Sequence, residues 1–222
     1  MGRTKYSEED RLRIITGFVR CTREIIDMEG VEHVSIRRVA QCAGFNSATL
    51  YLYFKDADEL ITLSSMSYLE NYCRTLNADI PHLKTPLEIY RHTWNIFSQH
   101  AFAHPQIFYR LFFYPHSLPL SQTVAKYYQI YPAQLTGTDR LVQEMLLEGD
   151  LKARNLKVLR PLAESLGYDE AHTAFINDMT SCYFKMLLED HLNEAGTILA
   201  EQKTKKMLDA VDFLLRSDRT AK

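Results

Sequence analysis

Few residues of this chain could do chemistry, and they are scattered. His100 and His104 stand four apart, a spacing that puts two imidazoles on one helix face where a metal could sit. Pro105 closes that helix directly after them and no carboxylate stands nearby in sequence, so capping or surface roles account for the pair. Cys21, Cys42, Cys73 and Cys182 show no C-x-x-C spacing and read as small buried residues of a reducing compartment, neither disulfides nor a zinc site. No histidine has a glutamate three residues before it, which excludes the di-iron bundle pattern, and no G-x-S-x-G, P-loop or G-x-G-x-x-G occurs. These absences imply no enzyme, no metal and no cofactor. What remains is a stretch suited to contact rather than catalysis. The segment NSATLYLYF, Asn46 to Phe54, has helical patterning, two tyrosines and no charge. Isolated helices below about 12–15 residues are marginal in water, so other elements must hold it.

Those elements read as helices throughout, because strand-like alternation is almost absent. Ser7 caps a first helix with Glu8, Glu9 and Asp10 in its opening turn, where acidic groups suit the helix dipole. Ile14, Ile15, Phe18, Val19, Thr22, Ile25 and Ile26 form its apolar stripe, and Gly30 stops it. Ser35 caps a second helix, Ile36–Ala43, which Gly44 ends. Asn46 caps a third, and Asp56 a fourth running from Ala57 to about Asn77. Two short helices joined by a tight glycine-containing turn make a helix–turn–helix, whose second helix enters the DNA major groove. Leu50 and Phe54, with Phe45, are placed to pack on Ile36, Val39 and Ala40. Ser47, Ala48, Thr49, Leu52 and Tyr53 face the other way, with Tyr51 at the margin.

The charge balance fits a small DNA-reading end on an acidic body. Residues 1–55 carry nine Lys/Arg against seven Asp/Glu, and the rest seventeen against twenty-one, giving +2 and −4. The segment Met1–Arg13 is too polar for a signal peptide, and no apolar run approaches the roughly 18–20 residues of a membrane span. A soluble cytoplasmic protein without membrane contact is expected.

The run VSIRRVAQCAGFNSATLYLYFKDADEL resembles the N-terminal domain of TetR/AcrR-family transcription regulators. The matching pattern is a capped S/T-hydrophobic-R-x-hydrophobic-A, then A-G-hydrophobic-S, then T-L-Y-x-H/Y-F, a charged turn and E-x-L. The likeness covers about the first quarter of the chain; beyond it only length and helical character agree. It implies an all-α fold, with a three-helix DNA-binding domain over residues 1–55 and a helical ligand-binding and dimerisation domain over 56–222. It implies phosphate contacts from Ser35 and Arg37, base-edge or backbone contacts from Ser47, Ala48, Thr49 and Tyr51, and phosphate contacts from Tyr53, Lys55 and the amides opening the fourth helix. Ala57 stands where the family frequently has lysine. After its cap the recognition helix has no Arg, Lys, Asn or Gln, so the commonest bidentate readings of guanine and adenine are missing. Ala48, Thr49, Tyr51 and Leu52 suit thymine methyls instead, which implies an A/T-containing half-site. Arg3 and Lys5 offer a tail for a minor groove, against the alternative of a solvated tail.

Further along, Thr85 to Glu88 forms a capping box with Pro86 at the first helical position. Residues 86–131 hold twelve of the chain's 25 aromatics, a density that suits either a core or a ligand cavity. Tyr90, Trp94, Phe97, Phe112 and Tyr128 are the candidate wall of a pocket for a small hydrophobic or aromatic ligand. Two long helices close the chain, 169–193 and 197–216. Phe175, Met179, Tyr183 and Met186 line the first, and Leu208, Val211 and Leu215 the second. These faces pack either on the body or on a second subunit; the resemblance implies a homodimer on a palindromic operator, acting as a ligand-responsive repressor, with an activating or ligand-independent DNA-binding factor of the same fold, or an all-helical binding protein or enzyme without DNA binding, as the alternatives.

Overall fold

A computed structural model describes residues 7–193 and 200–216. Among them the chain forms eleven α-helices and no strand. They are α1 (Glu8–Glu29), α2 (Ile36–Cys42), α3 (Ser47–Leu50), α4 (Ala57–Asp79), α5 (Pro86–Ala103), α6 (Pro105–Phe113), α7 (Leu120–Ile130), α8 (Arg140–Leu147), α9 (Leu151–Leu166), α10 (Glu170–Asn193) and α11 (Ala200–Arg216). The all-α class follows as the sequence implies. Arg3 and Lys5 lie outside the described residues, so the tail is not placed.

The local signals act where expected. Ser7 accepts the Asp10 amide, Ser35 the Arg38 amide and Asn46 the Thr49 amide, each engaging a donor that a helix start leaves unpaired. Thr85 and Glu88 form the reciprocal capping box at α5. Gly30 and Gly44 adopt φ of 101° and 76°, a region open to glycine at little cost, and they end α1 and the turn after α2.

The helices fall into two compact units. One comprises Met1–Ser67 together with Pro115–Ala133, and therefore contains α7. Its core is the α1 stripe: Ile14, Phe18, Val19, Thr22, Ile25 and Ile26 are buried as expected, Cys21 joins them, and Ile15 is only half-buried. Phe18 is wholly buried and its ring meets those of Phe45, Tyr53 and Phe54 at 5.4, 6.5 and 6.3 Å. Val39, Ala40, Leu50 and Phe54 close over this floor. Arg23 reaches across it, donating to the Ser64 carbonyl and the Tyr127 hydroxyl.

The second unit comprises Tyr68–Tyr114 and Gln134–Lys222. Within it α5 lies against α11 and α9, while α10 lies against α9, α11 and α6. Phe97 is its aromatic hub, within 6 Å of the rings of Tyr72, Trp94, Phe108, Phe112 and Phe184.

His100 adds a pH dependence to this unit. Burial, aided by the neighbouring His104, holds its imidazole below the ordinary 6.5. Above that value both folded and unfolded forms are neutral and stability is complete. As pH falls below it the unfolded chain takes the proton first, so stability declines. Thermal unfolding at pH 7.5 and 5.5 should show a lower midpoint at 5.5, with a smaller gap in His100→Gln. An unchanged gap would overturn this assignment.

Candidate nucleic-acid interface

The reading surface is built on α2 and α3. Ser35 Oγ accepts the Arg38 amide at 3.4 Å, so its side chain already caps α2. The two arginines that follow part ways. Arg38 is ion-paired with Glu29 and donates to the His33 carbonyl, tying α2 to the end of α1. That pair holds the Glu29 carboxyl below, and the Arg38 guanidinium above, their ordinary values. Arg37 is exposed and makes no ion pair among the described residues.

The recognition helix is shorter than its sequence pattern implies. α3 covers Ser47–Leu50 alone, and the chain then turns through Tyr51–Tyr53. Tyr53 and Phe54 both donate to the Leu50 carbonyl, at 3.0 and 3.1 Å, which tightens the last turn. Lys126 of α7 takes the Tyr53 carbonyl at 3.0 Å, an acceptor that a continuing helix would use. Ala48 is exposed, Tyr51 and Leu52 are 57% and 56% exposed, and Ser47 and Thr49 are half-buried. The Thr49 hydroxyl donates to Asn46 Oδ1 at 3.0 Å. The outward surface is thus apolar and uncharged at its centre. Tyr53 departs from its expected place: it is half-buried, tilted at 47° to the Phe18 ring, and belongs partly to the core.

The start of α4 also differs from expectation. Glu59 accepts the Lys55 amide at 2.6 Å, and Asp56 accepts the Glu59 amide at 2.9 Å. These two donors, expected to face a phosphate, are engaged within the protein. The Lys55 side chain is exposed, with its ammonium 3.3 Å from the Ser117 carbonyl. Glu59 is buried and its second oxygen meets Lys126 at 2.6 Å. Lys126 also lies over the Phe54 ring, 4.6 Å from its centre. Sequence reasoning missed Lys126, although it is the one charged residue of α7.

The cysteine reading is corrected in part. Cys21 and Cys42 form a disulfide linking α1 to α2. Their spacing of 21 residues hid this, since only the packing of the two helices brings them together. Glu24 completes a group of three potential metal-binding side chains with them, but the sulfurs are bonded to each other. Cys73 is buried and pushed up to about 12 by that burial, whereas Cys182 is exposed rather than buried.

In the second unit a small cavity of about 20 Å³ is lined by Tyr72, Thr93, Trp94, Phe97, Met145, Leu151, Arg154, Asn155 and Val158. Trp94 and Phe97 of the candidate wall are there. Tyr90 and Phe112 are not among the lining residues, though Phe112 lies 5.5 Å from the Arg154 guanidinium. Tyr128 lies on α7, in the other unit. Arg154 and Asn155 are the polar groups that the sequence reading missed. Both are buried, with Arg154 donating to the Leu146 carbonyl at 2.9 Å and Asn155 Oδ1 accepting from the Trp94 indole at 3.0 Å. Asn155 in turn donates to Asn177 Oδ1 at 2.8 Å. Burial raises the Tyr72 and Tyr90 phenols above their ordinary value. The signal was present in α9, where Leu151, Arg154, Asn155, Val158, Leu159 and Leu162 form one buried stripe containing two polar residues.

The candidate dimer faces divide. Phe175, Met179 and Met186 are exposed on α10, and Tyr183 is half-buried. On α11 Leu208 is half-buried, but Val211 and Leu215 are buried within the chain, because α11 turns that face to α5. The exposed apolar residue of α11 is instead Phe213. No helix among the described residues is long and apolar enough to cross a membrane.

Comparison with known proteins agrees with this geometry. Residues 19–62 match the family of bacterial regulatory proteins described as the tetR family. An uncharacterized HTH-type transcriptional regulator of Haemophilus influenzae is 32% identical over 73 residues, covering 33% of this chain and 39% of that protein. Among solved structures, Thermus thermophilus FadR, a TetR-family transcriptional repressor in complex with lauroyl-CoA, superposes with a TM-score of 0.61 at 12% identity. That superposition covers 92% of this chain and 94% of FadR, and shows a shared fold. Residues 19–62 of this chain are thus similar to the N-terminal domain of the tetR family of bacterial regulatory proteins, and the whole chain shares the fold of one such repressor.

Proposed function

We propose that this chain is a cytoplasmic transcriptional regulator, not an enzyme, that represses by binding a palindromic DNA operator as a homodimer. The observation that carries the DNA-reading part is the exposed, uncharged surface of Ala48, Tyr51 and Leu52, with the exposed cations Arg37 and Lys55 on either side of it in sequence. A central apolar patch suits thymine methyls, and the flanking cations suit phosphates. Ser35, Ser47, Thr49 and Tyr53 supply the adjoining polar contacts. The apolar stripe of Phe175, Met179, Tyr183 and Met186 on α10, with Leu208 on α11, supports pairing of two copies. Two linked modules multiply the affinity of one.

The apolar lining of the cavity supports a small apolar ligand, which the pocket must widen to admit. The buried guanidinium of Arg154 and the Asn155 amide favour one that also carries an anionic or carbonyl group. To act as an inducer it must bind the arrangement that does not grip DNA more tightly than the one that does.

Fluorescence anisotropy with duplex DNA from upstream of the protein's own gene tests the reading. Binding should favour this duplex over random DNA, and Arg37→Ala should lower affinity and reduce the salt slope by about one. Replacing the thymines of the bound site by uracil should weaken it. Equal weak binding to upstream and random DNA, with no higher-affinity genomic fragment recovered, would sink the proposal.

A further inference from the structure

Cys21 and Cys42 lie on the two helices that underpin the reading surface. Cys21 is wholly buried in the α1 stripe, and Cys42 is the last residue of α2, directly before the turn that leads to α3. Their Cα atoms are 5.9 Å apart, inside the roughly 4.4–6.8 Å range of disulfides. A protein that reads bacterial DNA works where low-molecular-weight thiols keep cysteines reduced, and disulfides there are typically transient or redox-sensing. We propose that Cys21 and Cys42 form a reversible thiol–disulfide switch that fastens α2 to α1 when hydroperoxides accumulate. This inference rests on the DNA-reading function proposed above.

The geometry defines the steps. Cys42 is the exposed partner, so its thiolate attacks the O–O bond of a hydroperoxide and an alcohol leaves, forming a sulfenic acid. The Cys21 sulfur then attacks that sulfur and water leaves. In sum, two thiols and one hydroperoxide give a disulfide, an alcohol and water, with two electrons passing from sulfur to oxygen. Two low-molecular-weight thiols reverse the bond by exchange, becoming a disulfide themselves. Glu24 Oε2 lies 3.7 Å from Cys42 Sγ, and Cys42 ends a helix, where the dipole is negative. Closing the disulfide leaves no negative charge on sulfur beside that carboxylate and helix end, which favours the oxidised state. A metal is the poorer occupant: Glu24 is ion-paired with Arg20 at 2.7 Å, so its charge is already engaged.

Alkylation of the denatured full chain tests the switch. After hydrogen peroxide it should show two reactive thiols, Cys73 and Cys182, and after millimolar dithiothreitol all four. Cys42→Ser should show three in both states. The oxidised form should unfold on the order of 10 °C higher and bind the upstream duplex about fivefold tighter, the low end of site-to-site couplings. Four thiols after peroxide would overturn the proposal, as would two that survive dithiothreitol, since that is a permanent brace. Equal unfolding midpoints and equal affinities would also overturn it, as would a reduced chain that retains one zinc ion per subunit. If no form binds DNA, the DNA-reading conclusion fails, while the thiol counts and midpoints still decide the switch chemistry.

Discussion

Phe18→Ala should abolish specific DNA binding without touching a single DNA-facing side chain. Phe18 is wholly buried beneath Phe45, Tyr53 and Phe54, so its ring is the floor on which the turn after α3 rests. Truncating a buried phenylalanine costs about 3–5 kcal/mol, from lost transfer energy and the cavity left behind. That is a large share of the roughly 5–15 kcal/mol that keeps a domain folded. The midpoint of thermal unfolding for this unit should fall by roughly 12 °C or more. Phe18→Leu should recover part of the loss, because it refills most of the volume. A drop in midpoint below about 4 °C, the effect of about 1 kcal/mol, would show that the floor is not what holds the reading surface.

Lys126→Met should destabilise the same unit by about 3 kcal/mol, because breaking a buried pair strands the remaining charge. Glu59 has 8% of its side chain exposed, and Lys126 is its cationic partner at 2.6 Å. The Lys55 amide still bonds Glu59 in the variant, which places the expected cost at the lower end of such losses. The substitution also releases the Tyr53 carbonyl, so the turn after α3 should loosen. Adding Glu59→Gln should restore stability toward the parent, since the stranded charge is then gone. Chemical denaturation of the parent, both single variants and the double variant gives the coupling directly. Additive single effects would exclude the pair as a structural bond.

These two results bear on how α7 joins the reading unit. Ser117, beside the start of α4, donates its amide to Asp58 at 2.9 Å and its hydroxyl to Asp56 at 3.2 Å. With Lys126 on Glu59 and Tyr127 on Arg23, residues 115–133 grip α1, the α3 turn and the start of α4. These bonds fix residues 115–133 to the helix–turn–helix unit, and mutation can break them one at a time.

What the amino-acid sequence determined by itself was the helix starts and most of the apolar faces. Ser7, Ser35, Asn46, Asp56 and the Thr85–Glu88 box set helix starts, because each cap bonds an amide within three or four residues. The α1 stripe foretold its buried face, since a helix turns every 3.6 residues whatever it packs against. The reading surface was legible for the same reason, its parts lying within 20 residues. The tertiary structure alone decided where distant segments meet. Glu59 and Lys126 are 67 residues apart, and Trp94 and Asn155 are 61 apart. Nothing within a helical turn encodes such a pairing. The same cause divided the aromatic cluster, sending Tyr128 to the unit that holds α1 to α3 while Trp94 and Phe97 line the cavity. It also joined Cys21 to Cys42 and turned Val211 and Leu215 inward against α5 while leaving Phe213 exposed. Periodicity names the apolar face of a helix, but only the path of the whole chain decides what covers it.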